Sequence, residues 1–355
     1  MMMDEVSISV PGRLCLFGEH SDWAGGYRQQ NPALEMGRVI VAQTNQEIQA
    51  RAKKNKSGSF EIRSTMDGSY SYAKFTLQKD ELKSGARSGS LFCYAAGVAY
   101  YFMDQFSRRD FQGIEIRNER TTLPVKKGLS SSAAICVLVA RAFNEFYGLN
   151  LSNFGEMEFA YRGELLTGSQ CGRMDQACAF RYPVEMVFDG NFMEAKEIEI
   201  GGDFYYLIVD LCSAKDTKKI LADLNKSFPF AATERDISVQ EYLGKINKNL
   251  TERASQALRG GDAATLGAIM NEAQAQFDMH LMPASSALQS PKLHNVLGYG
   301  PIQPHIYGGK GVGSQGDGSA QILAKGENKR AKVAEILEQD LGVKCLSLDL
   351  KKGLW

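Results

Sequence analysis

"GLSSSAA", residues Gly128–Ala134, opens an apolar stretch that continues as "ICVLVARAF". No charged residue interrupts it before Arg141, so a helix over 129–147 is expected to be buried on most sides through its first turns. Serine is a poor helix-interior residue and a good residue for a helix start. A helix start carries unpaired N–H groups and partial positive charge, which suit an anion. Lys126 and Lys127 stand just upstream. Taken alone, the stretch has two readings. The serines grip a phosphate or help hold Mg²⁺, or one of them caps the helix and the other two are incidental.

Outward from this helix the chain reads as α+β. "VSISV" (6–10) and "RVIVAQT" (38–44) are strands by their β-branched content, and "SFEIRST" and "SYAKFTL" flank Asp67-Gly68 as a hairpin. A core helix is expected over 90–106, a strand at "GIEIRNE", and a further helix at "EMEFAYRGELL". Gly201-Gly202 precedes a buried strand, "FYYLIVDL" (204–211). Helices follow over 238–280 with a break at Gly260-Gly261-Asp262, then the late strands "SAQILA" and "CLSLDL" with a helix between them. Two domains are expected, 1–203 and 204–355.

Composition excludes several functions. In 355 residues, Lys plus Arg and Asp plus Glu are both 41, so there is no basic footprint for nucleic acid. The longest apolar run, Ala133 to Ala140, is too short to span a membrane, and the N-terminus does not read as a signal peptide. Seven scattered cysteines without CxxC spacing argue against a disulfide framework or zinc site and for a reducing, cytoplasmic setting.

Three further stretches carry chemistry. "PGRLCLFGEHSDWAGG" (11–26) places Arg13, Glu19, His20 and Asp22 just after a strand. Such a mixture of donors and acceptors suits a polyhydroxylated ligand, or else is a solvated turn. "GSQCGRMDQACAF" (168–180) holds Asp175, either the N-cap of a helix starting at Gln176 or a carboxylate that takes a hydroxyl proton. "GGKGVGSQGDGSAQIL" contains GxGxxG at Gly311, Gly313 and Gly316, but the strand-like sequence after it rules out a Rossmann turn. Its bare backbone suits close approach to a polyphosphate, or else forms a plain tight loop. No Walker A sequence and no HRD or DFG set occurs.

Order and spacing of these stretches resemble the GHMP kinases, the superfamily of galactokinase, homoserine kinase, mevalonate kinase and phosphomevalonate kinase. "PGRLCLFGEHSDWAGGY" resembles the first motif, closest to galactokinases in its Gly-Glu-His-x-Asp core, "LPVKKGLSSSAA" the second, and "GGKGVGSQGDGSAQ" the third. "CGRMDQ", "NPALEMG" and "LGAIMNEAQ" are galactokinase-like too. The resemblance implies a two-domain fold, with an N-terminal part like ribosomal protein S5 domain 2 and a ferredoxin-like C-terminal part. It implies an ATP- and Mg²⁺-dependent kinase acting on a small-molecule hydroxyl, as a monomer or homodimer, without nucleic-acid or membrane partners.

Residue by residue, the resemblance implies that Lys127, Gly128, Leu129, Ser130, Ser131, Ser132, Ala133, Gly311 and Gly313 hold the ATP phosphates. Ser132 and Glu164, eleven residues before Asp175, would hold Mg²⁺. Arg13 and Asp175 match the pair that activates the acceptor. Glu19, His20, Asp22 and Gly172 match residues that contact it. The acceptor is expected to be a sugar or related polyol, with galactokinase-type transfer to its anomeric hydroxyl. An acidic sugar, another polyol, mevalonate, or a sensor without turnover are the alternatives. The chain departs from galactokinases at Lys126-Lys127, at Arg173, at Ser314-Gln315 and Asp317 in the third motif, and through 209–228. An acid such as Asp317 beside a polyphosphate is unfavourable unless it faces Mg²⁺ or points away.

Overall fold

The computed structural model describes residues 4–66, 69–124, 129–169, 171–213 and 215–353. Asp67-Gly68, Lys126, Lys127 and Gly128 lie outside the described residues. Contacts divide the chain into two compact units interleaved in sequence: Met1–Arg13 with Gln46–Arg181, and Leu14–Asn45 with Tyr182–Trp355.

In the first unit, β3 (Ser59–Met66) and β4 (Ser69–Thr76) pair antiparallel, as the hairpin reading expected. β5 (Ile114–Thr121) runs parallel to β3, and residues 48–54 of β2 (Gly37–Lys54) lie antiparallel to β5. Helices α2 (Lys79–Arg87), α3 (Cys93–Gln105), α4 (Ser131–Tyr147) and α5 (Asn153–Leu165) complete the unit. Phe60 and Phe102 pack their rings on Phe143 of α4. The side chains of α4 from Cys136 to Ala140 are buried, as the uncharged sequence requires. Arg141, the first charge, is buried too. Its guanidinium pairs with Glu156 at 2.9 Å and donates to the carbonyls of Ser9 and Ala179, so no part of it is stranded in the core.

In the second unit, residues 37–41 of β2 pair with β6 (Val184–Asp189), and β6 with β7 (Phe192–Glu197). A four-stranded antiparallel sheet follows, in the order β11 (Lys344–Leu350), β8 (Phe204–Asp210), β10 (Ser319–Ala324), β9 (Ile306–Gly311). Short α1 (Ser21–Gly26) also belongs here, as do α6 (Thr217–Asn225), α7 (Glu234–Glu241), α8 (Asn247–Gly260), α9 (Ala263–His280), α10 (Pro291–Leu297) and α11 (Glu327–Leu341). The expected break falls where the glycines stand. Gly261 (φ 70°) ends α8, and the Asp262 carboxylate accepts the Thr265 N–H to start α9. Leu207, Val209, Ile322, Val333 and Leu337 form the core of this sheet and α11. Mixed helices and sheets confirm the α+β class, and β10 after the glycine loop confirms that the loop opens no Rossmann helix.

β1 (Glu5–Phe17) runs from the first unit into the second. It continues through Pro11, well past the strand expected at 6–10.

Candidate active site

Each unit gathers its own constellation of the expected residues. In the first, Ser130 sits at the N-cap position of α4 in a left-handed conformation (φ 54°), and its side chain makes no cap. The serine-cap reading therefore does not hold. The Ser130 hydroxyl instead donates to Asp175 Oδ1 at 3.2 Å. The same oxygen accepts from the Arg13 guanidinium. Arg13 is fixed in turn by its backbone N–H, which donates to the Leu129 carbonyl at 3.2 Å. Asp175 opens a short 3₁₀ helix, Asp175–Ala179, whose cap position belongs to Met174, so Asp175 does not cap a helix from Gln176 either. Its side chain is 23% exposed and that of Arg13 6%.

Glu164, near the end of α5, is buried. Ser132 donates to it, as do Gln176 at 2.8 Å and Ser169 at 3.4 Å. Burial raises its carboxyl above the ordinary range. The negative charge of Asp175 adds to the rise, and the three hydrogen bonds oppose it. Arg173 is held by Glu158 at 2.6 Å and lies over the Tyr161 ring.

Mg²⁺ is the metal that the resemblance implies. Among the described residues no three His, Cys, Asp or Glu side chains form a metal cluster. Mg²⁺ does not need one, since it is commonly held by one or two carboxylates together with substrate phosphates and water. Glu164 fits that requirement. It is a hard oxygen donor faced by two hydroxyls and an amide, and a nearby cation would relieve the charge that burial and Asp175 make costly.

The second constellation begins where β1 ends. Gly18 (φ 90°) turns the chain, and a Cβ there would lie 2.0 Å from the Arg38 carbonyl oxygen, so only glycine fits. Glu19 follows and forms a buried ion pair with Lys310 on β9. His20 adopts φ 69°. The Trp23 indole N–H donates to His20 Nδ1 at 3.1 Å, which leaves Nε2 to carry the proton toward the Ser314 carbonyl at 3.4 Å. Burial pushes this imidazole down to about 4. The Ser314 contact opposes the shift and Lys215 adds to it, so the ring is neutral at pH 7. Asp22, on α1, is buried as well.

The glycine-rich segment is the hairpin loop between β9 and β10, with Gly313, Gln315 and Gly316 all at positive φ. Lys215 runs along it, its Nζ 3.9 Å from where a Cβ on Gly313 would lie. Asp317 is spent on structure: its carboxylate accepts the Leu293 N–H at 3.0 Å, in the first turn of α10.

Residues 93–181, which include Glu164, Asp175 and α4, match the GHMP kinases N terminal domain model. Those residues carry a GHMP kinase N-terminal domain. The chain is 24% identical to the galactokinase of Thermosipho africanus over 72% of its own length, although the match spans only 65% of that protein. It is 25% identical to the galactokinase of Pyrococcus furiosus, over 76% of this chain and 77% of that one. Among solved structures, Lactococcus lactis galactokinase complexed with galactose superposes with a TM-score of 0.75 at 18% identity, covering 99% of this chain and 94% of that chain. The fold is that of a GHMP kinase, and the sequence is galactokinase-like within it.

Sequence reasoning missed Lys310, Gln176 and Trp23. Lys310 had a signal: it is a lone charge in "IYGGKG", a strand otherwise of apolar and glycine residues. Gln176 and Trp23 had none, because each acts through a neighbour that only the fold supplies. None of the seven cysteines is in a disulfide. Among the described residues no helix is long and apolar enough to cross a membrane.

Proposed function

We propose that this protein transfers the γ-phosphoryl group of ATP to a sugar hydroxyl, the anomeric one as in galactokinases. The observation that carries the proposal is the convergence of the Arg13 guanidinium and the Ser130 hydroxyl on one oxygen of Asp175, at the start of α4. Phosphoryl transfer has a loose transition state, so positioning and charge neutralisation matter more than a strong base. Asp175 orients the acceptor hydroxyl. The new bond forms between that oxygen and the γ-phosphorus while the bond from phosphorus to the bridging oxygen of ADP breaks. The hydroxyl proton passes to Asp175. Arg13 pairs with Asp175 and adds positive charge beside the transferring group.

Ser131, Ser132 and Ala133 present the backbone N–H groups of the first turn of α4 to the phosphates, where the helix dipole favours negative charge. Mg²⁺, held by Glu164 and Ser132, would neutralise phosphate charge when bound. His20 and Asp22 contact acceptor hydroxyls, His20 as a neutral Nε2 donor. Gly172 belongs with the acceptor contacts, and Gly311 and Gly313 with the phosphate-binding backbone, as do Lys127, Gly128, Leu129 and Ser130. In the family sense the domains are 1–203, carrying the phosphate loop, and 204–355, carrying the third motif.

The pairing of Arg173 with Glu158 speaks for a neutral acceptor over an acidic one, since that cation already has an anionic partner. The test is ADP release from Mg·ATP against galactose, other neutral hexoses and pentoses, uronic acids, inositol and mevalonate. Turnover on a neutral sugar supports the reading. Turnover confined to mevalonate or a uronic acid overturns the acceptor class, and silence throughout with ATP bound overturns catalysis.

A further inference from the structure

The third-motif hairpin holds the first-motif segment by a face of its sheet. Lys310 on β9 and Gln321 on β10 are cross-strand partners in register, so their side chains leave the same face. Gln321 Nε2 donates to the Cys15 carbonyl at 3.0 Å. Lys310 Nζ donates to a Glu19 carboxylate oxygen and, at 3.1 Å, to the Gly311 carbonyl, and it lies over the Phe17 ring. On the other side of the strand there is no room for a side chain at Gly309 or Gly311. A Cβ on Gly309 would come within 2.8 Å of Leu297, and one on Gly311 within 2.7 Å of Gln315. Between Gly308 and Gly311 the strand's one side chain is that of Lys310, and it ends on Glu19.

We propose that Lys310 is a positioning residue for the acceptor, and that Glu19 serves as its counter-ion rather than as a direct hydroxyl ligand. This rests on the kinase reading above and deepens it, by leaving acceptor recognition to His20 and Asp22. The reason is electrostatic. A lysine and a glutamate removed from water this completely are stable together, and neither tolerates loss of the other. A Glu19 that released Lys310 to bind a sugar hydroxyl would strand a buried ammonium on the strand that carries Gly311. The pair instead fixes the backbone that presents His20, one residue further on, and thereby the direction of its Nε2–H.

A double-mutant cycle tests this: Glu19→Gln, Lys310→Met and the two combined, measured by thermal melting and by acceptor and ATP KM. The expected result is a loss of about 10 °C in melting temperature for Lys310→Met, with most of it regained in the double variant. Acceptor KM should rise at least fivefold in Lys310→Met with ATP KM little changed, and should fall back toward wild type in the double variant. That recovery separates positioning from a purely structural role, which would leave KM alone. Additive melting losses would overturn the ion-pair clamp. A double variant that regains its melting temperature while its acceptor KM stays raised tenfold or more would overturn the counter-ion role and return Glu19 to the acceptor. Should Lys310→Met not fold, Glu19→Gln and the double variant still measure the recovery. Melting does not depend on turnover, so a wild-type enzyme inactive on every acceptor would refute the kinase reading and leave the clamp decided by its melting cycle alone.

Discussion

Two ion pairs tie motif to motif, and they are built differently. Arg13–Asp175, in the first unit, leaves the carboxylate 23% exposed and adds a hydroxyl donor on the same oxygen. Glu19–Lys310, in the second, is closed to solvent on both sides, at 2% and 1%. An exposed, multiply approached carboxylate can meet a substrate and take a proton. A sealed pair can only hold its two strands of chain together. On the proposed reading the same charge types serve chemistry in one unit and geometry in the other, and burial separates the roles.

The largest expected effect breaks the open pair. Asp175→Asn keeps the size and a hydrogen-bonding group but cannot accept the proton, and kcat should fall by about a thousandfold. ATP affinity by titration should change little, and near-normal turnover would remove Asp175 from the mechanism. Next comes Glu164→Gln, which sharpens the comparison by separating function from stability. Because the folded carboxyl titrates above the unfolded one, ionisation costs stability as pH rises through the folded value. The amide should therefore melt slightly higher than wild type at pH 7 while turnover of Mg·ATP drops by about a hundredfold. A lower melting temperature with intact turnover would contradict both the electrostatics and the metal role.

His20 gives a third test, in the second unit. Its folded value near 4 lies below the unfolded 6.5, so the unfolded chain binds more protons between those limits. Stability is fully present above about pH 6.5 and is lost as pH falls toward 4, by on the order of 3 kcal/mol. Melting of His20→Gln should show a flatter profile across that window, and an unchanged slope would reject the assignment. The smallest effect is expected from Ser130→Gly. It relieves the left-handed strain, worth about 1 kcal/mol, while removing one contact to Asp175. Stability should hold or rise slightly, and turnover should fall severalfold; unaltered turnover would make that hydroxyl idle.

Much of this was legible in the sequence, because the fold elements are local. Uncharged 129–140 reads as a buried helix, and Gly260-Gly261-Asp262 reads as a stop and start. The roles proposed for Asp175 and Glu164 come only through the resemblance, since nothing local distinguishes a site carboxylate from a cap. The left-handed turn at Ser130 was not legible, and neither was its hydroxyl's bond to Asp175, forty-five residues away. Lys310 was visible as an oddity, but its partner lies 291 residues away. Asp317 looked like a repulsive charge beside phosphate until α10 supplied an N–H for it.

The most direct measurement is the product itself. Phosphorus NMR of the enzyme incubated with Mg·ATP and galactose, then with the other acceptors, identifies where the phosphoryl group goes. The account predicts ADP and an anomeric sugar phosphate in equal amounts from a neutral sugar. Unchanged ATP, or inorganic phosphate alone, with every acceptor and with ATP demonstrably bound would contradict it.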